Sequence, residues 1–260
     1  MVGSGACCAF CGSSSCLVPI SVLDEKWCRR FGGEPAVSLD HGWYTTARGD
    51  RKSADHVDPG KFFAPRVREL CDFCVHGWVE DVRWRAEPAL LNVAHGRQDR
   101  FSVDELPALR RWASLTAMLA EMVEGLPRAA SEAQRAAVRT GDSGAPRVDS
   151  WFFAVRQALP ARVHLSQVPV RGEVVHTTSL VQVVSVDLAH LSVLVVLPSD
   201  AEALDVVDRS GVSGSLGRPG VKTTGDPGLG RPLDLSRTPH PHQVALQRLC
   251  STSTAAVSPG

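Results

Sequence analysis

The sequence carries no surplus of charge: 28 Lys+Arg stand against 28 Asp+Glu in 260 residues. A protein that grips polyanions through a long-range field needs a basic excess, so that class is excluded. No apolar run approaches the roughly 20 residues of a membrane helix, and the longest, Leu191 to Leu197, has the length of a strand. No basic segment followed by an apolar stretch opens the chain, so no secretory signal is expected and the reading is a cytoplasmic protein. Also missing are a Gly-x-x-x-x-Gly-Lys-Ser/Thr phosphate loop, a Gly-x-Gly-x-x-Gly turn after a strand, a Gly-x-Ser-x-Gly nucleophile elbow and a His-Glu-x-x-His helix. With 43% hydrophobic residues and balanced charge, the chain is too apolar for wholesale disorder.

Cysteine, by contrast, is concentrated. Seven of the eight (Cys7, Cys8, Cys11, Cys16, Cys28, Cys71 and Cys74) lie in the first third, and Cys250 stands apart. Cys8-Ala-Phe-Cys11 and Cys71-Asp-Phe-Cys74 share the spacing that turns two thiolates toward one ion, and two such turns complete the tetrahedral shell of Zn²⁺. In a reducing compartment metal binding is the better reading than disulfides. Cys8, Cys11, Cys71 and Cys74 are therefore the expected zinc ligands, with Cys7, Cys16 and Cys28 left as alternative ligands or buried thiols.

Three regions follow. Residues 1–100 read as a zinc-organised module, since their apolar residues alone would make a thin core. Residues 101–207 read as helices followed by a sheet. A helix is expected from Trp78 to Val93, kinked near Pro88. A second, from Glu105 to Glu124, carries an apolar stripe through Leu106, Leu109, Trp112, Ala113, Leu119, Met122 and Val123, with Asp104 as its cap and Gly125 and Pro127 at its end. A short helix spans Ser131 to Arg139. Four valine-rich strands, Trp151–Val155, Val163–Val170, Val174–Val186 and Leu191–Leu197, make a small antiparallel sheet. Residues 208–260, rich in Gly, Pro, Ser and Thr, read as a disordered tail in which His240 and His242 are solvated. The fold class is α+β.

The segment Cys71-Asp-Phe-Cys74-Val-His-Gly77-Trp78, followed by a helix ending Arg111-Trp112-Ala113-Ser-Leu-Thr116-Ala117, resembles the HNH-endonuclease-like zinc proteins of bacteria and phages. In that group a first Cys-x-x-Cys precedes a Leu-Thr-x-Glu-His-Val-x-Pro stretch. Then come Cys-x-x-Cys-Asn-x-Gly-Trp and a Trp-centred helix. The resemblance covers about residues 6–125. It implies a ββα-metal, or treble-clef, fold held by zinc, a histidine that activates water, a second divalent ion at the phosphate, and DNA as partner. The sequence departs from the pattern at two polar positions. Ser21 occupies the histidine position, and Val75 stands where the family has Asn. A serine hydroxyl lacks the basicity to deprotonate water, and a valine offers no ligand or hydrogen bond.

A second alignment restores the chemistry. Asp55-His56-Val57-Asp58-Pro59, between the two cysteine pairs, matches the Asp-His-(Ile/Val)-x-Pro stretch of ordinary HNH nucleases, though the usual central Asn is missing. On this alignment His56 is the general base, and Asp55 and His76 hold Mg²⁺ or a similar ion. A polar surface turn at 55–59 is the competing reading, and His41 has a similar look but no motif around it. The six tryptophans could stack on bases but fit a core around a metal module. Residues 1–100 hold thirteen basic and thirteen acidic side chains, so any DNA contact must be local; Arg83 and Arg85, flanking Trp84, are the candidate patch. The functional expectation is an HNH-like zinc protein acting on DNA, with metal-dependent phosphodiester hydrolysis. Its rival is an inactive zinc-structured module that binds nucleic acid or protein.

Overall fold

The computed structural model describes residues 7–33, 37–41, 43–45, 51–53, 62–63, 66–123, 126–142, 147–170, 179–212, 215, 221–222 and 232–255. It is a mixed α+β structure, as the sequence leads one to expect. The first lobe begins with a turn carrying Cys8 and Cys11. Strand β1 (Leu17–Ser21) follows, then helix α1 (Glu25–Phe31), whose cap Asp24 accepts from the Lys26 N–H. Strands β2 (Val37–His41), β3 (Trp43–Thr45), β4 (Arg51–Ser53) and β5 (Phe62–Phe63) lead to β6 (Arg66–Cys71). β6 pairs antiparallel with β1, Leu17 opposite Cys71, and this register sets the two cysteine pairs face to face.

Helix α2 (Asp72–Cys74) starts directly from β6 and passes through a widened turn at Val75–Val79 into α3 (Glu80–Ala94). The distortion expected at Pro88 lies instead at Gly77, whose ψ of −109° is non-helical, while Pro88 sits inside an unbroken α3. Proline removes the N–H that would bond the carbonyl of Trp84, four residues back, and its ring crowds that carbonyl, yet α3 continues through it. Trp84 is on the exposed side, where water can serve that oxygen. Helix α4 (Leu106–Glu121) follows. Asp104 does not cap it; Ser102 and Glu105 exchange side-chain to backbone bonds instead, at 2.7 and 3.3 Å, with Pro107 in the first turn. Helix α5 (Glu132–Thr140) has a full capping box, Ser131 with Gln134.

The four expected strands are two. β7 (Asp149–Val170) and β8 (Ser179–Pro198) form one long antiparallel hairpin, interrupted by register shifts between Ala154, Leu159 and Arg162 and by Ala189 at φ 48°. The polar intervals bend the ribbon without ending it, as bulges do. Residues 171–178, which include the start of the expected strand at Val174, fall outside the described residues. β2 joins the free edge of β7 in parallel, Val37 opposite Val163, and β5 lies beyond β2. A short β9 (Val221–Lys222) pairs with the same edge at Trp151 and Phe152. Gly33 touches this edge so closely that a Cβ there would sit 1.8 Å from the Ala161 carbonyl oxygen.

Helices cover both faces of the sheet. On one, an apolar cluster runs unbroken from Cys8 through Trp27, Leu90 and Trp112 to Val193 and Leu197. On the other, Trp151, Phe153, Val181 and Leu194 pack against α6 (Ala201–Ser210) and α7 (Pro241–Ala255). Burial on both sides explains why β8 reads as a nearly continuous run of valine and leucine. The expectation of a disordered tail is thereby corrected for residues 232–255. Leu233 bonds Ala154 and Arg156 where β8 leaves β7, and Ala245 and Leu249 are fully buried. Composition misled because a few apolar residues on one helical face suffice when a complementary face awaits them. Among the described residues no helix is long and apolar enough to cross a membrane.

Candidate metal centre

Cys8 and Cys11 project from a tight turn closed by the Gly12 N–H on the Cys8 carbonyl at 2.9 Å, with Gly12 at φ 69°, where a side chain would be strained. The Ala9 N–H bonds Glu69 of β6 at 2.8 Å, tying the turn to the strand that ends in Cys71. Cys71 precedes α2 and Cys74 ends its first turn. The Sγ atoms of Cys8 and Cys74 are 3.7 Å apart, those of Cys11 and Cys71 3.6 Å, and all four lie within 4.8 Å of one another. Thiolates around a tetrahedral Zn²⁺ at about 2.3 Å would be about 3.8 Å apart, so the four sulfurs fit one such ion.

Burial pushes the Cys8 thiol up, but backbone N–H groups of Cys71, Phe10 and Cys11 outweigh it and bring it down to about 7. Burial drives Cys71 and Cys74 the other way, upward, and the neighbouring sulfurs add to it, though backbone and Trp78 contacts oppose. Four sulfurs this close cannot all ionise alone; a bound cation would supply the missing positive charge. Phe10 meets Trp78 edge-on at 5.0 Å between ring centroids, and the Arg111 guanidinium lies 5.6 Å over Trp78 while bonding the carbonyls of Val138 and Arg139. Arg135 of α5 reaches the Ala9 carbonyl at 3.0 Å. The centre is thus braced by α4 and α5 as well as by its own strands.

The other predicted residues divide. Asp55 and His56 lie outside the described residues. His76 is exposed on the turn after Cys74, its ring held between Asp72 at 3.2 Å and Glu80 at 3.0 Å. The Glu80 hydrogen bond, with Asp72 adding to it, raises its pKa. Ser21 donates to Glu25 at 3.1 Å, and Glu25 pairs with Arg66 at 2.6 Å. Cys7 and Cys16 are exposed outside the quartet, and the Cys28 thiol is buried in the core, pushed up to about 11 by that burial and by nearby Asp24. Trp27 and Trp112 pack together at 5.6 Å, as the core reading expects, but Trp84 is 73% exposed.

One cluster escaped sequence reasoning. Asp187, buried in β8, accepts from His240 Nε2 at 3.1 Å and from the Ser192 hydroxyl at 2.7 Å, with His164 Nε2 3.7 Å from its other oxygen. His242, also buried, meets Ser166 at 2.9 Å. The expected solvation of His240 and His242 is therefore corrected: they anchor the start of α7 to the sheet. The signal was available in Asp187, the only carboxylate between Ser179 and Pro198. An acid inside an apolar strand needs a partner.

Comparison of the chain with protein-family models, with curated proteins and with solved structures finds no match.

Proposed function

We propose that the protein is a zinc-organised binding module that contacts a nucleic acid or protein without cutting it. The observation that carries this reading is the cysteine quartet. Among the described residues it is the one group of three or more His, Cys, Asp or Glu placed so that it could hold a metal ion. One pair on a turn and one at a helix start, joined through an antiparallel strand pair, supports the zinc reading and the expected treble-clef layout. The position that would carry the base on the first alignment is Ser21, engaged with Glu25. A plasmid nicking assay with Mg²⁺ or Mn²⁺ tests the reading. Zinc-loaded protein is expected to leave supercoiled DNA intact.

Metal-dependent hydrolysis is the second reading, favoured by the motif Asp55-His56-Val57-Asp58-Pro59. In it His56 deprotonates water, and Asp55 and His76 hold Mg²⁺ beside the phosphate. Nicking that His56→Ala abolishes, and that His76→Ala reduces, would establish this reading and end the first.

A further inference from the structure

We infer that Arg30, His95, Arg97 and His190 form a binding site for a phosphate group, carried on a nucleic-acid backbone or free in solution. The inference rests on the binding-module reading and deepens it, naming the chemistry of the partner and the face that meets it. A chain of zero net charge can hold phosphate only through a local patch. The patch expected at Arg83 and Arg85 is already occupied: Arg83 turns inward onto the carbonyls of Ser21 and Val22, and Arg85 pairs with Asp81. Three other elements converge elsewhere. α1 ends at Phe31, whose ring meets that of His95 at 5.2 Å between centroids. His95 closes α3, and Gly96 turns the chain at φ 66°, with His190 Cδ2 4.0 Å from where a Cβ would stand. His190 follows the bend at Ala189 in β8, and its Nδ1–H donates to the Val155 carbonyl at 3.1 Å. Arg30 precedes Phe31 in the last turn of α1, and Arg97 lies two residues past His95.

Cations favour helix C-termini, and that alone would explain a basic residue at the end of α1 or α3. Here the end carbonyls already have backbone donors: the Gly33 N–H bonds Cys28, that of Gly96 bonds Val93, and that of Arg97 bonds Asn92. Neither the Arg30 nor the Arg97 side chain has a carbonyl or carboxylate partner among the described residues. Glu25 and Asp99, on the same segments, are engaged by Arg66 and Arg100. Burial lowers the His95 pKa, and Arg30, Arg97 and His190 lower it further, with no carboxylate among the described residues raising it. His95 Nε2 is buried and has no hydrogen-bond partner. Positive groups gathered without a counter-charge, around an orphaned ring nitrogen, are what an anion relieves. Phosphate is the anion that fits. Guanidinium forks match its geometry, and its tetrahedral oxygens point to several sides at once, as donors from three elements require; a carboxylate is flat. The Val155 carbonyl fixes a proton on His190 Nδ1, so Nε2 donates only once the ring is charged, the form that a neighbouring phosphate favours.

The test uses the full zinc-loaded chain. Inorganic phosphate is titrated while the histidine Cε1–H signals are followed by NMR, with His95 assigned through His95→Gln and sodium chloride of equal ionic strength as the reference. Phosphate should act saturably and raise the His95 pKa, reversing the effect of its cationic neighbours, and Arg30→Gln/Arg97→Gln should abolish the response. In fluorescence anisotropy the same double variant should bind a short labelled single-stranded DNA about tenfold more weakly. Its slope of log affinity against log salt should be smaller by about 1.4. Arg209→Gln/Arg248→Gln, an equal loss of charge on α6 and α7, should change neither measurement. Labelled hexa-glutamate, a polyanion without phosphate, should bind at least about tenfold more weakly than the DNA. DNA binding that depends on Arg30 and Arg97 assigns the site to a nucleic-acid backbone, and a response to inorganic phosphate alone assigns it to a free phosphate ligand. Neither response, or hexa-glutamate bound as tightly as DNA, overturns the inference. DNA bound equally by wild type and the double variant, with no phosphate response, overturns it too but leaves the binding-module reading standing. Nicking lost with His56→Ala ends that reading, whatever the phosphate titration shows.

Discussion

Asp187 has three partners, His240, Ser192 and His164, and they hold its carboxyl below the usual carboxylate range despite the burial that opposes it. A carboxyl with a depressed pKa contributes stability above its unfolded value, about pH 4, and loses it as pH falls through the lower folded value. Asp187→Asn should therefore cost about 3 kcal/mol in urea unfolding at neutral pH, with the gap from wild type closing in acid. Glu121 works in the opposite sense. Its burial raises its pKa further than the Ala129 and Ala130 N–H groups lower it, so its ionised form weighs against folding at neutral pH. At the metal centre, Cys71→Ser should abolish stoichiometric zinc in metal analysis, whereas Cys16→Ser and Cys28→Ser should retain it. The cysteine quartet was legible because its spacing is a local geometric requirement. The histidine–aspartate cluster was not, since its members are brought together by strand register and the docking of α7, which no spacing encodes.

Among the elements, those with local chemistry were the easiest to read. The 3.6-residue stripe of α4 and the short helix α5 act within a few residues and survive in the fold nearly as expected. The sheet was cut into too many pieces because Gln157–Arg162 and Asp187–His190 look like turns by composition. Tertiary pairing keeps them extended: Leu159 faces Ala189 and Arg162 faces Asp187 across the hairpin. Two substitutions test this packing. Gly33→Ala places a methyl 1.8 Å from a backbone oxygen that cannot swing aside, and should lower the melting temperature by more than any exposed Gly→Ala change. Leu249→Ala should cost about 2–5 kcal/mol by chemical denaturation, because α7 packs fully against the sheet; in a disordered tail the cost would be near zero.

For the molecule as a whole, the lobe of the cysteine quartet and the sheet share one apolar cluster, from Cys8 to Leu197, so the lobe cannot melt without exposing one face of the sheet. Apparent zinc-binding energies of small structural sites, about 10–16 kcal/mol, match or exceed the roughly 5–15 kcal/mol that stabilises a typical domain. Stripping the metal with a strong chelator is therefore expected to collapse near-ultraviolet circular dichroism from Trp27, Trp112 and Trp151 together. Loss of the Trp27–Trp112 signal with Trp151 unaffected would show that the two regions unfold separately.

The long reach of β7 also dictates an order of assembly. Its edge receives β2 from early in the chain and Leu233 from late in it, and among the described residues its second face is covered by α6 and α7. A ribosome that has released residues up to Pro198 has already delivered all four cysteines of the quartet and both strands of the hairpin, with Trp151, Phe153 and Leu194 not yet covered by α6 and α7. The emerging chain must shield that valine-rich face until Pro241–Ala255 leaves the exit tunnel, which makes this interval the window for chaperone capture or aggregation.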